Sequence, residues 1–202
     1  MNAETSAFQQ HLKPDEVRER LVELGAILQG HFKLSSGLHS DHYFQCAKVL
    51  QYPDLAKELG RLLAEQCNEL EIDLVLSPAV GGILIGHEVA RALGRRHVFC
   101  ERKEGKLQLR RGFTLRKGES ALLVDDVLTR GTSLQEMRTL VESHEGSAKS
   151  IAVIVDRREA QLTIDLPVHC LLREELRTFE ARRCPLCKSG EPLEAPGSRH
   201  DA

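Results

Sequence analysis

Short apolar runs alternate with amphipathic segments along most of the chain. The runs lie at residues 74–76, 97–100, 121–124, 151–155 and 168–172 and have no helical period. Such runs are typical of strands that are buried on both faces of a sheet. Strands separated by helices predict an α/β fold with a mostly parallel, twisted sheet flanked by helices.

The amphipathic segments predict the helices. One helix opens at Pro53, a second covers residues 83–93 and ends at Gly94, and a third follows Ser133. Ser133 and Glu136 match a capping box, which would fix the start of that third helix.

The N-terminal part has a different pattern. A first helix is predicted from Pro14 to about Gln29, with Gly30 as its stop. Its apolar stripe consists of Val17, Leu21, Leu24 and Leu28. Residues 31–46 are strand-like, with a polar turn near residues 35–37.

The stretch at residues 121–133 carries the strongest chemical signal. A buried strand leads into Asp125 and Asp126, and a loop rich in hydroxyl groups and glycine then opens a helix. Loop amides and a helix N-terminus together can bind a phosphate. The two carboxylates suit a ligand that carries hydroxyl groups or Mg²⁺ beside its phosphate, as a sugar phosphate does. An acidic turn without a ligand is the alternative interpretation.

Other polar clusters fall at the predicted carboxyl ends of the strands. They occupy residues 77–82, 100–106, 125–133 and 156–157. Ligands of parallel sheets bind at this edge, so the clusters predict a single site. The backbone of Pro78 to Gly82 could hold a pyrophosphate, although a tight turn alone also explains its glycines. The segment matches neither the P-loop nor the dinucleotide motif, so ATP and NAD have no support.

The segment from Arg102 to Lys117 contains seven Lys or Arg residues and one acid, Glu104. We interpret it as a mobile cationic flap that would neutralise a departing pyrophosphate. A solvated surface and a nucleic-acid patch are the alternatives.

Arg157 ends a predicted buried strand and could bind a planar carboxylate through two hydrogen bonds. An ion pair within the sequence Asp156-Arg157-Arg158 is the simpler explanation. Tyr43 and Phe44 are candidates for stacking on a flat base, although aromatic residues are more often part of the core.

Composition excludes several classes of protein. The chain has 202 residues, a net charge of −2 and 41% hydrophobic residues, which is ordinary for a globular protein. This charge implies neither nucleic acid nor an anionic membrane as a partner, and no apolar run is long enough to span a membrane. Without an apparent export signal, the six cysteines are expected to be reduced thiols in a cytoplasm. We expect one domain over residues 1–183 and an irregular tail over 184–202.

Cys184 and Cys187 have the spacing of metal ligands, but zinc needs four ligands and no second pair lies nearby in the sequence. His169 and Cys170 are the candidates for the two further ligands, but this is the less favoured interpretation. Two structural thiols or a subunit contact are the preferred interpretations.

Residues 121–133 closely resemble the phosphoribosyl pyrophosphate (PRPP) signature of the type I phosphoribosyltransferases. The segment from Phe32 to Gly37, with Tyr43 and Phe44, resembles the substrate segment of the orotate-specific branch, and the chain's end resembles one bacterial group within it. The resemblance implies the type I phosphoribosyltransferase fold with a small N-terminal hood-like segment at about residues 14–50. It also implies Mg²⁺-dependent transfer of 5-phosphoribosyl from PRPP to orotate in pyrimidine synthesis.

The resemblance also implies roles for individual residues. Lys106, Asp125 and Asp126 would be catalytic, and Lys106 would reach the neighbouring subunit of a homodimer. Mg²⁺ would be carried by PRPP and held through water by the two aspartates, with no direct protein ligand. The expected PRPP contacts are Val80, Gly81, Arg102, Lys103, Lys106, Asp125, Asp126, Thr129, Arg130, Gly131, Thr132 and Ser133. The expected orotate contacts are Ser35, Tyr43, Phe44, Thr129 and Arg157.

The chain departs from the family pattern at two positions. Ser35 and Gly81 stand where family members often carry lysines, and Arg130 could return part of the missing charge. A phosphoribosyltransferase for another nucleobase and a PRPP-sensing regulator that binds nucleic acid remain the alternative functions.

Overall fold

Two β-sheets organise the computed structural model, which describes residues 11–34, 36–158, 162–175 and 177–196. The larger sheet has six strands and the smaller sheet has four among the described residues. The strands are β1 (Ile27–Lys33), β2 (His39–Phe44), β3 (Leu74–Pro78), β4 (Arg96–Lys103), β5 (Lys106–Leu109), β6 (Ser120–Leu128), β7 (Ser147–Asp156), β8 (Val168–Arg173), β9 (Thr178–Phe179) and β10 (Leu193–Glu194). The α-helices are α1 (Val17–Glu23), α2 (Ala47–Leu50), α3 (Pro53–Gln66), α4 (Gly82–Leu93), α5 (Thr132–Ser143) and α6 (Pro185–Lys188).

The larger sheet has the strand order β5-β4-β3-β6-β7-β8. All its neighbouring strands are parallel except β4 and β5, which form an antiparallel hairpin. Strand β3 lies between β4 and β6, so the chain moves first to one side of β3 and later to the other. In open α/β sheets such a reversal leaves a ligand-binding crevice at the carboxyl ends of the flanking strands, which here are β3 and β6.

Helices cover both faces of this sheet, as the hydrophobic pattern predicted. Val75, Leu122 and Ile154 belong to the apolar cluster that also contains the inner faces of α3 and α4. Leu74 and Leu123 belong to a second cluster with the inner face of α5. Neighbouring residues of one strand thus enter opposite clusters, because side chains alternate across a sheet.

The predicted first helix was wrong in its second half. Helix α1 ends at Glu23, and Leu28 and Gly30 lie in β1. Gly25 has a φ of 66°, and the amide of Ala26 donates to the carbonyl oxygen of Leu21 over 2.8 Å. This Schellman motif turns the chain out of the helix five residues before the predicted stop.

The smaller sheet has the order β10-β1-β2-β9 and joins the two ends of the chain. Residues 31–46, predicted to be strand-like, supply the end of β1 and all of β2, and these two strands pair antiparallel. The chain expected to be an irregular tail contributes β10, which pairs with β1, and the short helix α6. None of the helices in the described ranges has the length and hydrophobicity that a membrane span requires.

Candidate active site

The acidic pair lies in the carboxyl half of β6, one of the two strands that flank the expected crevice. Asp125 and Asp126 are within β6 rather than after it, because β6 stays paired with β7 as far as Leu128. The amide of Asp126 donates to Asp125 Oδ1 over 2.9 Å, and the amide of Val127 donates to Asp126 Oδ1 over 2.8 Å. These bonds fix both carboxylates at the carboxyl half of the strand.

The pair is electrostatically unfavourable when both groups are ionised. Burial and the charge of Asp126 raise the pKa of Asp125 well above its usual range. Burial also raises the pKa of Asp126. Two neighbouring carboxylates of this kind become more favourable beside a cation or beside hydroxyl donors.

The turn after β3 lies directly against the acidic pair. A Cβ atom at Gly81 would lie 3.0 Å from Asp126 Oδ2, and one at Gly82 would lie 3.2 Å from Asp125 Oδ1. The structure therefore brings together two clusters that the sequence predicted for one edge. Val80 is 83% exposed in this turn, and the peptide bond between Ala79 and Val80 is cis.

The loop after β6 leads from the acidic pair to α5. Gly131 has a φ of 70° and precedes α5, which begins at Thr132. The predicted capping box was wrong, because Ser133 is already inside the helix and α5 has no side-chain cap. The first turn of α5 still presents amide groups that lack helical acceptors, as any helix N-terminus does. Thr129, Arg130 and Thr132 are exposed at this loop.

Glu136 holds the basic segment instead of capping α5. Its carboxylate lies 3.0 Å from Arg102 Nη1 and accepts a hydrogen bond from the amide of Leu107 over 3.2 Å. The predicted loop is therefore a β4–β5 hairpin at this point, with positive φ angles at Glu104 and Gly105. Sequence reasoning gave Glu136 the wrong role because its partner lies 34 residues away.

Three predicted cations lie on this hairpin. Arg102, Lys103 and Lys106 are all exposed. Lys103 lies 3.9 Å from Glu104, a surface ion pair of little energetic weight. The hairpin thus presents positive charge to solvent beside α5.

Arg157 is buried, and the ion pair within residues 156–158 that was the simpler explanation forms through Arg158 rather than through Arg157. The buried Asp156 instead lies 3.1 Å from Arg158 and 2.6 Å from Arg173. The Arg157 guanidinium lies over the Phe44 ring, with Cζ 5.0 Å from the ring centroid. Its Nε atom has no hydrogen-bond partner among the described residues. Burial lowers the pKa of Arg157 to about 10.

Cys46 was missed as a candidate site residue. Burial and the charges of Asp126 and Asp125 raise the pKa of its thiol, whereas Arg157 opposes that shift. Cys46 is buried directly before α2. Its position after β2, beside Tyr43 and Phe44, was the signal that could have identified it.

The remaining predicted contacts do not all lie near the acidic pair. Tyr43 is partly buried, with its ring centroid 5.7 Å from that of Phe32. Ser35 lies outside the described residues. A groove of about 760 Å³ contains Lys106, Arg130 and Thr132 together with apolar residues of α5, but neither aspartate. It lies beside the crevice rather than in it.

A second polar cluster lies apart from these groups. Cys184 and Cys187 meet His31 and His39 of the smaller sheet. The expectation that these cysteines lack two further ligands was therefore wrong, and His169 is not part of the cluster. The sequence concealed it because the histidines lie on β1 and β2, more than 140 residues before the cysteines.

Comparisons with known proteins agree with this architecture. A profile of the phosphoribosyl transferase domain matches residues 46–181. An orotate phosphoribosyltransferase from Thermoanaerobacter sp. (strain X514) is 44% identical over 188 residues, covering 93% of this chain and 99% of that protein. Another from Chlorobium phaeobacteroides (strain BS1) is 46% identical over 175 residues, covering 87% of this chain and 91% of that protein.

Solved structures confirm the fold. The orotate phosphoribosyltransferase of Aeropyrum pernix has a TM-score of 0.65 at 24% identity, covering 78% of this chain and 93% of that one. The adenine phosphoribosyltransferase of Thermoanaerobacter pseudethanolicus has a TM-score of 0.58 at 22% identity, covering 66% and 88%. Since both bases occur among these neighbours, the fold alone does not select the base.

Proposed function

The chain belongs to the phosphoribosyltransferase family, among the orotate phosphoribosyltransferases, and from this premise we propose that it converts PRPP and orotate into orotidine 5′-monophosphate and pyrophosphate. The bond between C1′ and the pyrophosphate oxygen breaks, and a bond from C1′ to N1 of orotate forms. The proton of N1 is lost, and pyrophosphate leaves with its electron pair. As the bond to pyrophosphate breaks, positive charge develops on the ribose and negative charge on the leaving group.

The buried guanidinium of Arg157 is the feature that favours orotate over other bases. A buried guanidinium whose Nε has no acceptor among the described residues can bind a ligand carboxylate. Among nucleobase substrates, orotate carries a carboxylate, whereas adenine, hypoxanthine and uracil do not. The adjoining Phe44 and Tyr43 would stack on the flat ring, and Thr129 would contact it from the phosphate loop.

The PRPP half of the site would use the crevice. Asp125 and Asp126 would bind the ribose hydroxyls, and the loop from Thr129 to Ser133 would bind the 5′-phosphate through its amides and the N-terminus of α5. The turn at Val80 and Gly81 would present its backbone to the pyrophosphate. Arg102 and Lys103 would neutralise the charge that develops on it.

The acidic pair also fits a magnesium ion carried by the substrate. Its carboxylate oxygens are the ligand type that Mg²⁺ prefers, and the raised pKa values indicate a place where positive charge is favourable. Bound Mg²⁺ would neutralise charge on the pyrophosphate. We propose contact through water, so the protein provides no direct ligand.

Lys106 would act on the leaving group from a second copy of the chain. It is exposed at the start of β5, next to the turn of the β4–β5 hairpin. An exposed hairpin with a terminal cation can reach a neighbouring crevice. The proposal therefore includes a homodimer in which each subunit completes the other's site.

A single assay tests the proposal. Orotate, PRPP and Mg²⁺ are incubated with the protein, and loss of orotate absorbance is followed together with release of pyrophosphate. Both signals are expected to depend on all three components. Adenine, hypoxanthine and uracil, tested at the same concentration, should release no pyrophosphate. Equal turnover of one of these bases would contradict the assignment to orotate, and salt-dependent RNA binding without turnover would favour the regulator.

A further inference from the structure

Four potential metal ligands converge between the smaller sheet and the C-terminal segment. His31 Nε2 lies 2.9 Å from His39 Nδ1, 3.5 Å from Cys184 Sγ and 3.6 Å from Cys187 Sγ. His39 Nδ1 lies 3.3 Å from Cys187 Sγ. All four ligand atoms lie within 4.8 Å of one another. Three of these side chains are buried, and Cys187 is exposed.

These separations fit a tetrahedral ion. Zinc binds nitrogen at about 2.0 Å and thiolate sulfur at about 2.3 Å, which places ligand atoms roughly 3.3–3.8 Å apart in a tetrahedron. The nitrogen–sulfur distances agree closely with this range. The two nitrogens need to separate by a few tenths of an ångström, a shift that ring rotation can provide.

A hydrogen bond outside the cluster orients the first ligand. His31 Nδ1 lies 2.8 Å from the carbonyl oxygen of Glu191. A carbonyl only accepts, so Nδ1 carries the proton and Nε2 presents its lone pair to the cluster. Histidine ligands of metals are commonly held in this way, by donating their second N–H to a carbonyl or carboxylate.

We propose that His31, His39, Cys184 and Cys187 bind one zinc ion. Two cysteines and two histidines in tetrahedral arrangement are a ligand set that selects zinc. On binding, each thiol releases its proton to solvent, and two thiolates balance the charge of Zn²⁺. All four positions are occupied by protein atoms, so the site is structural and leaves no position for water or substrate.

The ion would connect the N-terminal strands β1 and β2 with the C-terminal segment that contains α6. Strand β10 pairs with β1 at two positions, and β9 pairs with β2 at two positions. Ladders this short provide little stability by themselves. Zinc would fix Cys184 and Cys187, on either side of the start of α6, to the centre of the smaller sheet.

The ion would also constrain the segment between His31 and His39. His31 lies in β1 and His39 begins β2, so the two ligands flank residues 32–38, which include Phe32 and the predicted orotate contact at Ser35. Holding both ends would restrict the conformations of the turn between them. This effect on substrate binding rests on the proposed function, whereas zinc binding itself does not.

Metal analysis of the full-length protein without a histidine tag tests the site. The protein is expressed with zinc chloride in the medium, dialysed against metal-free buffer and analysed by mass spectrometry for metals. We expect about one zinc per chain for a closed four-ligand site. Cys184→Ser and His39→Ala should each retain at least tenfold less zinc. Cys170→Ser is the matched control, because it removes a thiol outside the cluster, and it should retain zinc fully.

Cobalt provides a test that needs no variant to fold. Reconstitution of the metal-free protein with cobalt chloride should give the intense visible bands of tetrahedral Co²⁺ and a sulfur-to-metal charge-transfer band. Weak octahedral bands would overturn the proposal. So would wild-type zinc content as low as that of Cys184→Ser, or a Cys184–Cys187 disulfide found by counting thiols in the unfolded, unreduced protein.

A third measurement separates this inference from the enzymatic one. Amide hydrogen exchange is compared in the zinc-loaded and metal-free protein, with no substrate present. Removal of zinc should increase exchange at least tenfold in residues 185–194, which are otherwise held by short ladders. Unchanged exchange there would contradict the structural role even if the protein were an active orotate phosphoribosyltransferase.

Discussion

The guanidinium of Arg157 lies over the ring of Phe44, 5.0 Å from its centroid, and both side chains are buried. Asp156, the acid next to Arg157 in sequence, pairs instead with Arg158 and Arg173. The protein thus keeps a buried cation on an aromatic surface with an Nε donor that no described residue satisfies. Because buried unpaired charge destabilises a protein, this arrangement favours the proposed role of Arg157 in binding a ligand.

Replacement of Arg157 tests this role. Arg157→Lys keeps the charge but removes the planar pair of donors, so kcat/KM for orotate should fall by about 100-fold. The affinity for PRPP should change little, because the proposed PRPP contacts lie on other strands. Steady-state kinetics with each substrate varied will measure both effects. Arg158→Lys, which alters only the ion pair with Asp156, should leave orotate kinetics nearly unchanged, and an equal loss there would argue against a specific carboxylate contact.

The acidic pair should be needed for activity but not for folding. Asp125→Asn together with Asp126→Asn keeps the oxygen acceptors of the two backbone hydrogen bonds while removing both charges. Turnover should become undetectable, and circular dichroism should remain that of the folded protein. Unfolding of this variant would show that the pair is structural.

The same pair predicts the pH dependence of stability without ligand. Both folded-state pKa values are raised, so the folded protein binds more protons than the unfolded chain. The free energy of unfolding should therefore fall as pH rises from about 4, the unfolded carboxyl pKa, through the raised folded values. Urea denaturation at several pH values should show this loss in the wild type and a smaller one in the double Asn variant. If the wild type loses no more stability over this pH range than the double Asn variant does, the raised pKa values are contradicted.

Lys106 should affect chemistry more than binding. Lys106→Ala is expected to lower kcat by roughly 100- to 1000-fold if the ammonium group stabilises charge in the transition state. The dissociation constant of PRPP, measured by calorimetry, should change much less. Lys117→Ala, which removes a lysine paired with Glu145 outside the hairpin, serves as the control. A change confined to substrate affinity would exclude the catalytic role.

Mixing two inactive variants tests the shared site. In a hybrid dimer of Lys106→Ala with the Asp125→Asn, Asp126→Asn variant, one crevice receives intact aspartates from one subunit and Lys106 from the other. Random exchange makes half the dimers hybrid with one complete site each, so activity should recover to about a quarter of wild type. Subunits are mixed after mild dissociation, and each variant refolded alone is the control. Dimers that form without recovering activity would place Lys106 in the site of its own chain.

Gly60 sets the distance between α3 and α4. A Cβ atom there would lie 2.5 Å from Glu88 Cβ and 2.8 Å from the Glu88 backbone carbon. Gly60→Ala should therefore lower the free energy of unfolding by about 1–3 kcal/mol, despite the better helix propensity of alanine. Lys57→Ala, on the exposed face of α3, is the matched control in urea denaturation. A stabilised Gly60→Ala protein would mean that the helices can separate at little cost.

The sequence determined most of the large sheet and the edge at which its polar clusters lie. The apolar runs that begin at Leu74, Ala121 and Ile151 form parallel strands. They could be predicted because a strand that is buried on both faces needs a continuous apolar run. Gly94 ends α4 in the left-handed conformation, as its place after the apolar stripe predicted. The polar clusters reached one edge because parallel strands all present their carboxyl ends there.

Tertiary structure decided the pairings between distant residues. Glu136 holds Arg102 rather than capping its own helix, and Leu28 entered a strand because β1 has β2 and β10 as partners. His31 and Cys184 meet although the sequence separates them by 153 residues. Local patterns encode which face of an element is buried, but which distant side chain meets it depends on how the whole chain packs, and so the cysteine–histidine cluster became visible only in three dimensions.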